Sequence, residues 1–261
     1  MKAYLFLRRG YDVFKMFITG SLFRELNEVK YKMNVAAKNL HKSPLVKEGE
    51  NLKISVVIPT LNESNYIEKP ILSLKANPYS NFEIIIVDGM SQDDTVIKAK
   101  RLGARVILSQ KRNVGYPTHL GFMSAKGDII VRTDADSIFP KDILIKIVGA
   151  FEPEIMVYHI GHLYYDGNIF LNLLAHLYDK YWRRIWATSG HFIAVRKTAY
   201  EKLHFKPLRR GEDFDFGKRA YKIFGQKGFA YDPNTVILTS SRAIRKHGVI
   251  RYIFRGGSFR A

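Results

Sequence analysis

The 261-residue chain contains no cysteine. That absence excludes a disulfide framework, a thiolate metal site and a cysteine nucleophile. Long apolar runs are also missing, and nothing approaches the roughly 20 residues that a membrane-spanning helix needs. Near the start, Tyr4-Leu5-Phe6-Leu7 runs straight into Arg8-Arg9 and is too short for the core of a secretory signal. The chain is therefore expected neither to span a membrane nor to be secreted. A cytoplasmic location is compatible with this and is the expectation, with peripheral attachment to the inner face of the cell membrane left open.

Acidic residues are scarce: 24 Asp and Glu stand against 42 Lys and Arg, a formal charge of +18. The imbalance gathers at the ends, with eleven basic and five acidic residues from Met1 to Lys53, and six basic residues and no acid beyond Asp232. Such a field selects anionic partners, whether nucleotide phosphates, an acidic lipid surface or nucleic acid. The 46% apolar content excludes a disordered chain, and the length suffices for a full α/β core.

Residues 1–50 carry apolar positions at roughly helical spacing, among them Leu5, Tyr11, Phe14, Ile18, Leu22 and Leu26, interspersed with Lys and Arg. One or two amphipathic helices are expected. Their apolar face would lie in a membrane interface, or pack on the main domain or on a second copy of it, the last making a homo-oligomer. From Lys53 onward strands and helices alternate, the pattern of a mostly parallel sheet covered on both faces. Strands are expected at 54–59, 82–87, 104–108, 128–131, 156–163, 192–195 and 235–238. Helices are expected at 64–75, from 91 to Gly103, at 118–125, 140–151, 169–185, 198–203 and 214–224.

Four segments carry the chemistry. Val57-Ile58-Pro59-Thr60-Leu61-Asn62-Glu63 is a strand that ends in a polar turn opening a helix, at the sheet edge where nucleotides bind. It holds no Gly-x-Gly-x-x-Gly, so a dinucleotide fingerprint is absent. Ile84-Ile85-Ile86-Val87-Asp88-Gly89 places an acid at the tip of the next strand, where it can accept from a base or a ribose hydroxyl; a turn-forming aspartate is the alternative. Asp134-Ala135-Asp136 follows the apolar run Ile129-Ile130-Val131 and aims two carboxylates at one point, suited to holding a divalent cation against a diphosphate. Gly211-Glu212-Asp213-Phe214-Asp215 opens a helix with acids, which either complement its positive end or supply a general base.

In this order the segments resemble those of family 2 of the glycosyltransferases, with its GT-A fold. The resemblance covers about residues 53–248. It implies an α/β, three-layer α/β/α sandwich with a mostly parallel central sheet, preceded by a helical appendage at 1–50 and followed by a basic tail at 249–261. The activity implied is metal-dependent inverting transfer of a sugar from a UDP- or GDP-sugar, with Mg²⁺ or Mn²⁺ as cofactor. Pro59, Thr60, Asn62, Glu63, Asp88, Gly89, Asp134 and Ala135 would line the nucleotide-sugar pocket. Asp134 and Asp136 would hold the metal, Asp213 would be the general base and Glu212 would orient the acceptor.

The chain departs from the family pattern in two segments, one of which is Pro117-Thr118-His119-Leu120-Gly121, standing where the family frequently has Ala-Arg-Asn-x-Gly and leaving the usual contacts of that stretch unassigned. It also lacks the Gln-x-x-Arg-Trp stretch of processive members and has Thr239-Ser240-Ser241-Arg242-Ala243-Ile244-Arg245-Lys246-His247-Gly248 in that region. Arg242, with Lys246 or Arg245, is expected on the diphosphate and His247 in the metal shell. Acceptor recognition is expected between Asp166 and His191, where Tyr178, Tyr181, Trp182, Arg183, Arg184 and Trp186 mix aromatic and cationic groups. A polyprenyl phosphate or another lipid suits the basic ends as acceptor, and no nucleic acid is expected. Two rival readings stay open: a nucleotidyltransferase on a similar sheet, and a basic nucleic-acid-binding protein.

Overall fold

A computed structural model describes residues 21–38, 51–111, 115–183, 185–208 and 211–248. Seven strands form one sheet in the order β3-β2-β1-β4-β6-β5-β7. They are β1 (Ile54–Thr60), β2 (Phe82–Asp88), β3 (Arg105–Leu108), β4 (Ile129–Thr133), β5 (Val157–Tyr164), β6 (Phe192–Arg196) and β7 (Phe229–Thr239). The first four run parallel, β6 runs antiparallel to both neighbours, and β5 pairs parallel with β7.

The apolar runs are continuous because both faces of the sheet are covered, and the two-residue period of a strand divides each run between them. Ile54, Val56, Ile58, Ile84, Ile86, Ile129 and Val131 face one layer. That layer holds α2 (Glu68–Lys75), α3 (Thr95–Arg101) and α5 (Ile143–Ala150), which contribute Ile71, Leu74, Ala99, Leu144 and Ile147. Val57, Ile85, Val87, Ile130, Ile193 and Val195 face the other. There α4 (Gly115–Ser124), α7 (Lys197–Lys202) and α8 (Glu212–Phe224) supply Phe122, Tyr200, Phe216 and Ala220. The result is the three-layer sandwich expected from the sequence.

Several elements end where local chemistry dictates. Pro70 sits in the first turn of α2, where its missing N–H costs nothing. Gly103, at φ +75°, lies just past the end of α3. The helix expected to begin at Ser64 begins at Glu68, after a turn, and α8 starts at Glu212, so the acidic pair lies within its first turn. The single helix expected over 169–185 is two elements: α6 (Ile169–Leu177) and a π-helical turn, Tyr178–Trp182. The helix widens there because Asp179 turns inward. Its Oδ2 accepts the His162 N–H at 2.8 Å, and its Oδ1 accepts the Arg183 Nε–H at 2.7 Å.

Helix α1 (Ser21–Lys38), the described part of the expected appendage, packs on α6 through Val29, Leu173 and Leu177. A buried ionic network reinforces the contact. Glu25 accepts from His176 at 2.8 Å, from Tyr181 at 2.9 Å and from Lys180, while Lys32 reaches the Pro233 carbonyl at 2.9 Å. Residues 1–20, 39–50 and the tail at 249–261 lie outside the described residues. Among the described residues no helix is long and apolar enough to cross a membrane.

Candidate active site

The site forms at the carboxyl ends of β1, β2 and β4, as the sheet register requires. Thr60 pairs with Asp88 across β1 and β2, and Val57 pairs with Arg132 across β1 and β4. Continuing that second register sets Asp134 and Ala135 level with Pro59 and Thr60. On the other side of β4, Thr133 pairs with Phe192 of the antiparallel β6, which brings His191 beside Asp134.

A cleft opens above these ends. Pro59, Thr60, Glu63 and Gly89 form one wall, and Asp134, Ala135 and Asp136 form its floor. Arg242 of α9 (Arg242–His247) closes the far side with Thr239 and Ser240. Arg242 joins two acids: its Nη2 lies 2.7 Å from Glu63 Oε1 and its Nε 2.8 Å from Asp136 Oδ2. Thr239 donates to Asp136 Oδ1 at 3.1 Å. His191 Nδ1 donates to Asp134 Oδ2 at 2.8 Å, because an ionised carboxylate can only accept.

Arg132 is the second shared cation. Its Nη2 lies 3.2 Å from Asp134 Oδ1 and 3.4 Å from Glu212 Oε1, which ties the first turn of α8 to the floor of the cleft. Asp213 is half-buried beside Glu212, and its backbone carbonyl accepts the Thr188 hydroxyl at 2.5 Å.

The acids divide by environment. Burial works against ionisation of Asp134, yet Arg132 and His191 hold its carboxyl down at about 2. Burial, followed by the charge of Asp134, pushes the Asp136 carboxyl up. Burial also raises Glu63, with Asp136 and Asp134 adding to it against the pull of Arg242. Glu212 is buried and pushed up to about 7 despite Arg132, with Asp213 repelling it further. His191 moves the other way: its burial opposes the charge, but contact with Asp134 raises it.

These acids fit a divalent cation. Glu63 Oε2 is buried with no hydrogen-bond partner, and burial together with the neighbouring acids raises Glu63 and Asp136 even with Arg242 between them. Carboxylate oxygens keep spare lone pairs beside their present partners, and such hard donors suit Mg²⁺ or Mn²⁺. A tighter trio among the described residues, Glu25, Glu28 and His176, has ligand atoms within 4.8 Å of one another. Lys180 reaches both of its carboxylates and Lys32 reaches Glu28 at 3.0 Å, so it is an ion-pair network between helices.

Several sequence expectations fall elsewhere. Asp88 is fully buried behind Thr60; it accepts from the Thr60 hydroxyl at 3.1 Å and from the Ser91 N–H at 2.8 Å, which braces the loop. Asn62, expected to line the pocket, is exposed and outside the cleft wall. At φ +57° it donates its N–H to Ser91 Oγ and accepts the Gln92 N–H, lacing the two loops together. Lys246 is exposed and also off the wall, and the His247 side chain lies outside the described residues.

In the segment expected to hold the acceptor, Arg183 is 4% exposed and locked on Asp179 at 2.6 Å, while Tyr181 is spent on Glu25. Both are structural. Trp186 stacks edge-on against Phe214 with centroids 5.1 Å apart, next to the acidic pair. Arg184 and the Trp182 side chain lie outside the described residues. Lys111, Arg132, His191, Thr239 and Ser240 line the cleft without having been singled out from the sequence. Arg132 had a signal, a lone base inside the buried strand Ile129-Ile130-Val131-Arg132; the others had none.

Residues 55–214, more than half the chain, match the sequence model described as Glycosyl transferase family 2. The chain belongs to that family. A glucosyl-3-phosphoglycerate synthase of Petrotoga mobilis is 32% identical over 141 residues, 46% of this glycosyltransferase and 43% of the relative. A dolichol-phosphate mannosyltransferase of Pyrococcus furiosus is 32% identical over 107 residues, 39% of this chain and 30% of its own. The matches thus span less than half the length of these relatives. Among solved structures, glucosyl-3-phosphoglycerate synthase from Mycobacterium tuberculosis in complex with Mn²⁺, UDP-glucose and phosphoglyceric acid superposes with a TM-score of 0.62 at 23% identity. It covers 84% of this chain and 83% of its own. At that identity the likeness carries the fold, which is the GT-A arrangement.

Proposed function

We propose that this glycosyltransferase moves a sugar from a nucleoside-diphosphate sugar to a hydroxyl or lipid-phosphate acceptor, in a metal-dependent reaction that inverts the anomeric centre. The observation that carries the reading is the cleft at the ends of β1 and β4, where Glu63, Asp134 and Asp136 face the shared cations Arg132 and Arg242. Pro59, Thr60 and Gly89 take the nucleoside, and Arg242 takes the diphosphate. Asp134 and Asp136 would hold Mg²⁺ or Mn²⁺, which supplies charge neutralisation for the departing diphosphate. The relatives lend support, since one solved neighbour binds Mn²⁺ with UDP-glucose and another Mn²⁺ with GDP-mannose.

In the transfer step Asp213 accepts the proton of the attacking hydroxyl, and Glu212 orients the acceptor. The acceptor oxygen bonds to the anomeric carbon from the face opposite the diphosphate. The old carbon–oxygen bond breaks with its electron pair leaving on the nucleoside diphosphate. A phosphate acceptor arrives already ionised and needs no such base. Residues 51–248 form the catalytic unit in this reading, with the appendage docked on it.

A lipid acceptor, and attachment to an anionic membrane, draw support from the outer face of α1. Both acids of that helix are engaged in ion pairs, while Phe23 and Tyr31 are 70% and 62% exposed beside exposed Arg24 and Lys30. The rival readings, nucleotidyl transfer and nucleic-acid binding, have no observation in their favour once the family is known.

The test incubates the protein and Mn²⁺ with UDP-glucose or GDP-mannose, and with polyprenyl phosphate or 3-phosphoglycerate as acceptor. Product of inverted configuration by NMR supports the reading, and retained configuration refutes inversion. Transfer to the soluble acceptor alone, with no sedimentation on vesicles containing phosphatidylglycerol, rules out the lipid part.

A further inference from the structure

Arg132 is an unusual residue to find in the middle of a covered sheet. It is 5% exposed, and its Nε and Nη1 have no hydrogen-bond partner among the described residues. Buried donors are normally satisfied, so an arginine that leaves two unpaired is kept for another reason. One nitrogen, Nη2, does all the visible work, 3.2 Å from Asp134 and 3.4 Å from Glu212.

The surroundings are shaped to that guanidinium. A Cβ on Gly190 would fall 1.7 Å from Arg132 Nη1, so any side chain there would displace the guanidinium from its present seat. The same segment is clamped onto α8: a Cβ on Gly217 would fall 2.3 Å from the Trp186 carbonyl, and Thr188 donates to the Asp213 carbonyl. One residue beyond Gly190, His191 holds the other oxygen of Asp134. Residues 186–191 therefore connect the start of α8 to the tip of β4, with Arg132 beneath them.

We propose that Arg132, seated under Gly190, is a positioning residue that fixes the spacing between the donor-side acid Asp134 and the acceptor-side acid Glu212. The inference rests on the transferase reading above and adds to it a spacer between its two halves. Asp134 and Glu212 sit on separate elements and repel each other when ionised. A single cation between them converts that repulsion into a fixed geometry. In this role Arg132 acts through Asp134 and Glu212, although it also lines the cleft.

The test is a double-mutant cycle in kcat, measured with the nucleotide sugar that the native protein turns over. Arg132→Met should lower kcat by about a hundredfold, the loss that a misplacement of about 1 Å produces, with donor KM changed far less. In a Glu212→Gln background the same replacement should lower kcat by less than about fivefold, because the link from Asp134 to Glu212 has already lost its acceptor-side end. Gly190→Ala keeps every charged group yet displaces the guanidinium, and should reproduce the kcat loss with melting temperature monitored alongside. If Arg132→Met fails to fold, the Gly190→Ala series in both backgrounds decides. Equal losses in both backgrounds, or a fall in melting temperature with kcat unchanged, would overturn the proposal. A native protein that turns over no donor at all would instead sink the transferase reading.

Discussion

Replacing Arg242 with alanine removes the cation that Glu63 and Asp136 share, and leaves two poorly solvated carboxylates facing each other. The guanidinium lies 2.7 Å from one and 2.8 Å from the other, and its face covers the Tyr66 ring at 4.4 Å. A charged hydrogen bond contributes about 1.5–3 kcal/mol, and a fully enclosed pair that loses one partner costs about 3–5 kcal/mol. Arg242 is 36% exposed, so solvent screening brings the two contacts together down to about 2 kcal/mol. For a domain of this size that is a fall of about 4–8 °C in melting temperature.

Two dependences distinguish this mechanism from a simple loss of packing. The freed acids hold their protons more tightly in the folded state than in the unfolded one, so stability should fall as pH rises, and the defect should be larger at pH 8 than at pH 5. A divalent cation can also take the place of the missing charge. Thermal unfolding followed by circular dichroism, with EDTA or with Mn²⁺, reads both. Mn²⁺ should raise the melting temperature of the variant more than that of the native protein. An unchanged melting temperature in EDTA, or equal stabilisation of both proteins by Mn²⁺, would mean that Arg242 does not neutralise the two acids.

Three further outcomes are expected. Asp213→Asn should bind the Mn²⁺–nucleoside diphosphate with native affinity in calorimetry and yet fail to turn over; normal rates would remove Asp213 as the base. Gly121→Ala would place a Cβ 2.3 Å from a Val57 methyl in the second core layer. Overpacking of that kind costs about 1–3 kcal/mol, read by urea unfolding, and no loss would mean that α4 can slide on the sheet. Contacts with Lys180 and Lys32 hold the Glu28 carboxyl at about 2 against burial, down from an ordinary 4.5. Its contribution is thus complete above pH 4.5 and lost as pH falls toward 2, so limited proteolysis should begin to release α1 in that window and not at pH 7.

The parallel half of the sheet is legible in the sequence because burial on both faces leaves unbroken runs such as Ile84–Val87, and the turns after them announce themselves with Pro59, Gly89 and Asp134. What sequence cannot convey is direction. Nothing in Phe192–Val195 states that β6 runs antiparallel, yet that direction alone carries His191 to Asp134. The break between α6 and the π-helical turn is equally hidden, since it answers to His162 and Arg183 drawing Asp179 inward. Tertiary context also reassigns residues whose type was read correctly: Tyr181 and Arg183 have the chemistry of a binding surface, but Tyr181 is consumed in holding α1 and Arg183 in fixing Asp179. Arg132 is the converse case, an ordinary base in a strand until the register sets it between Asp134 and Glu212.

In the proposed reaction Asp136 and its neighbours form a metal-assisted diphosphate site. Calorimetric titration of UDP and GDP into the native protein and into Asp136→Ala, each with and without Mn²⁺, tests it most directly. Mn²⁺ should strengthen binding of at least one nucleotide to the native protein and have no effect on the variant. Binding that is indifferent to Mn²⁺ in the native protein, or equally enhanced in both, would contradict it.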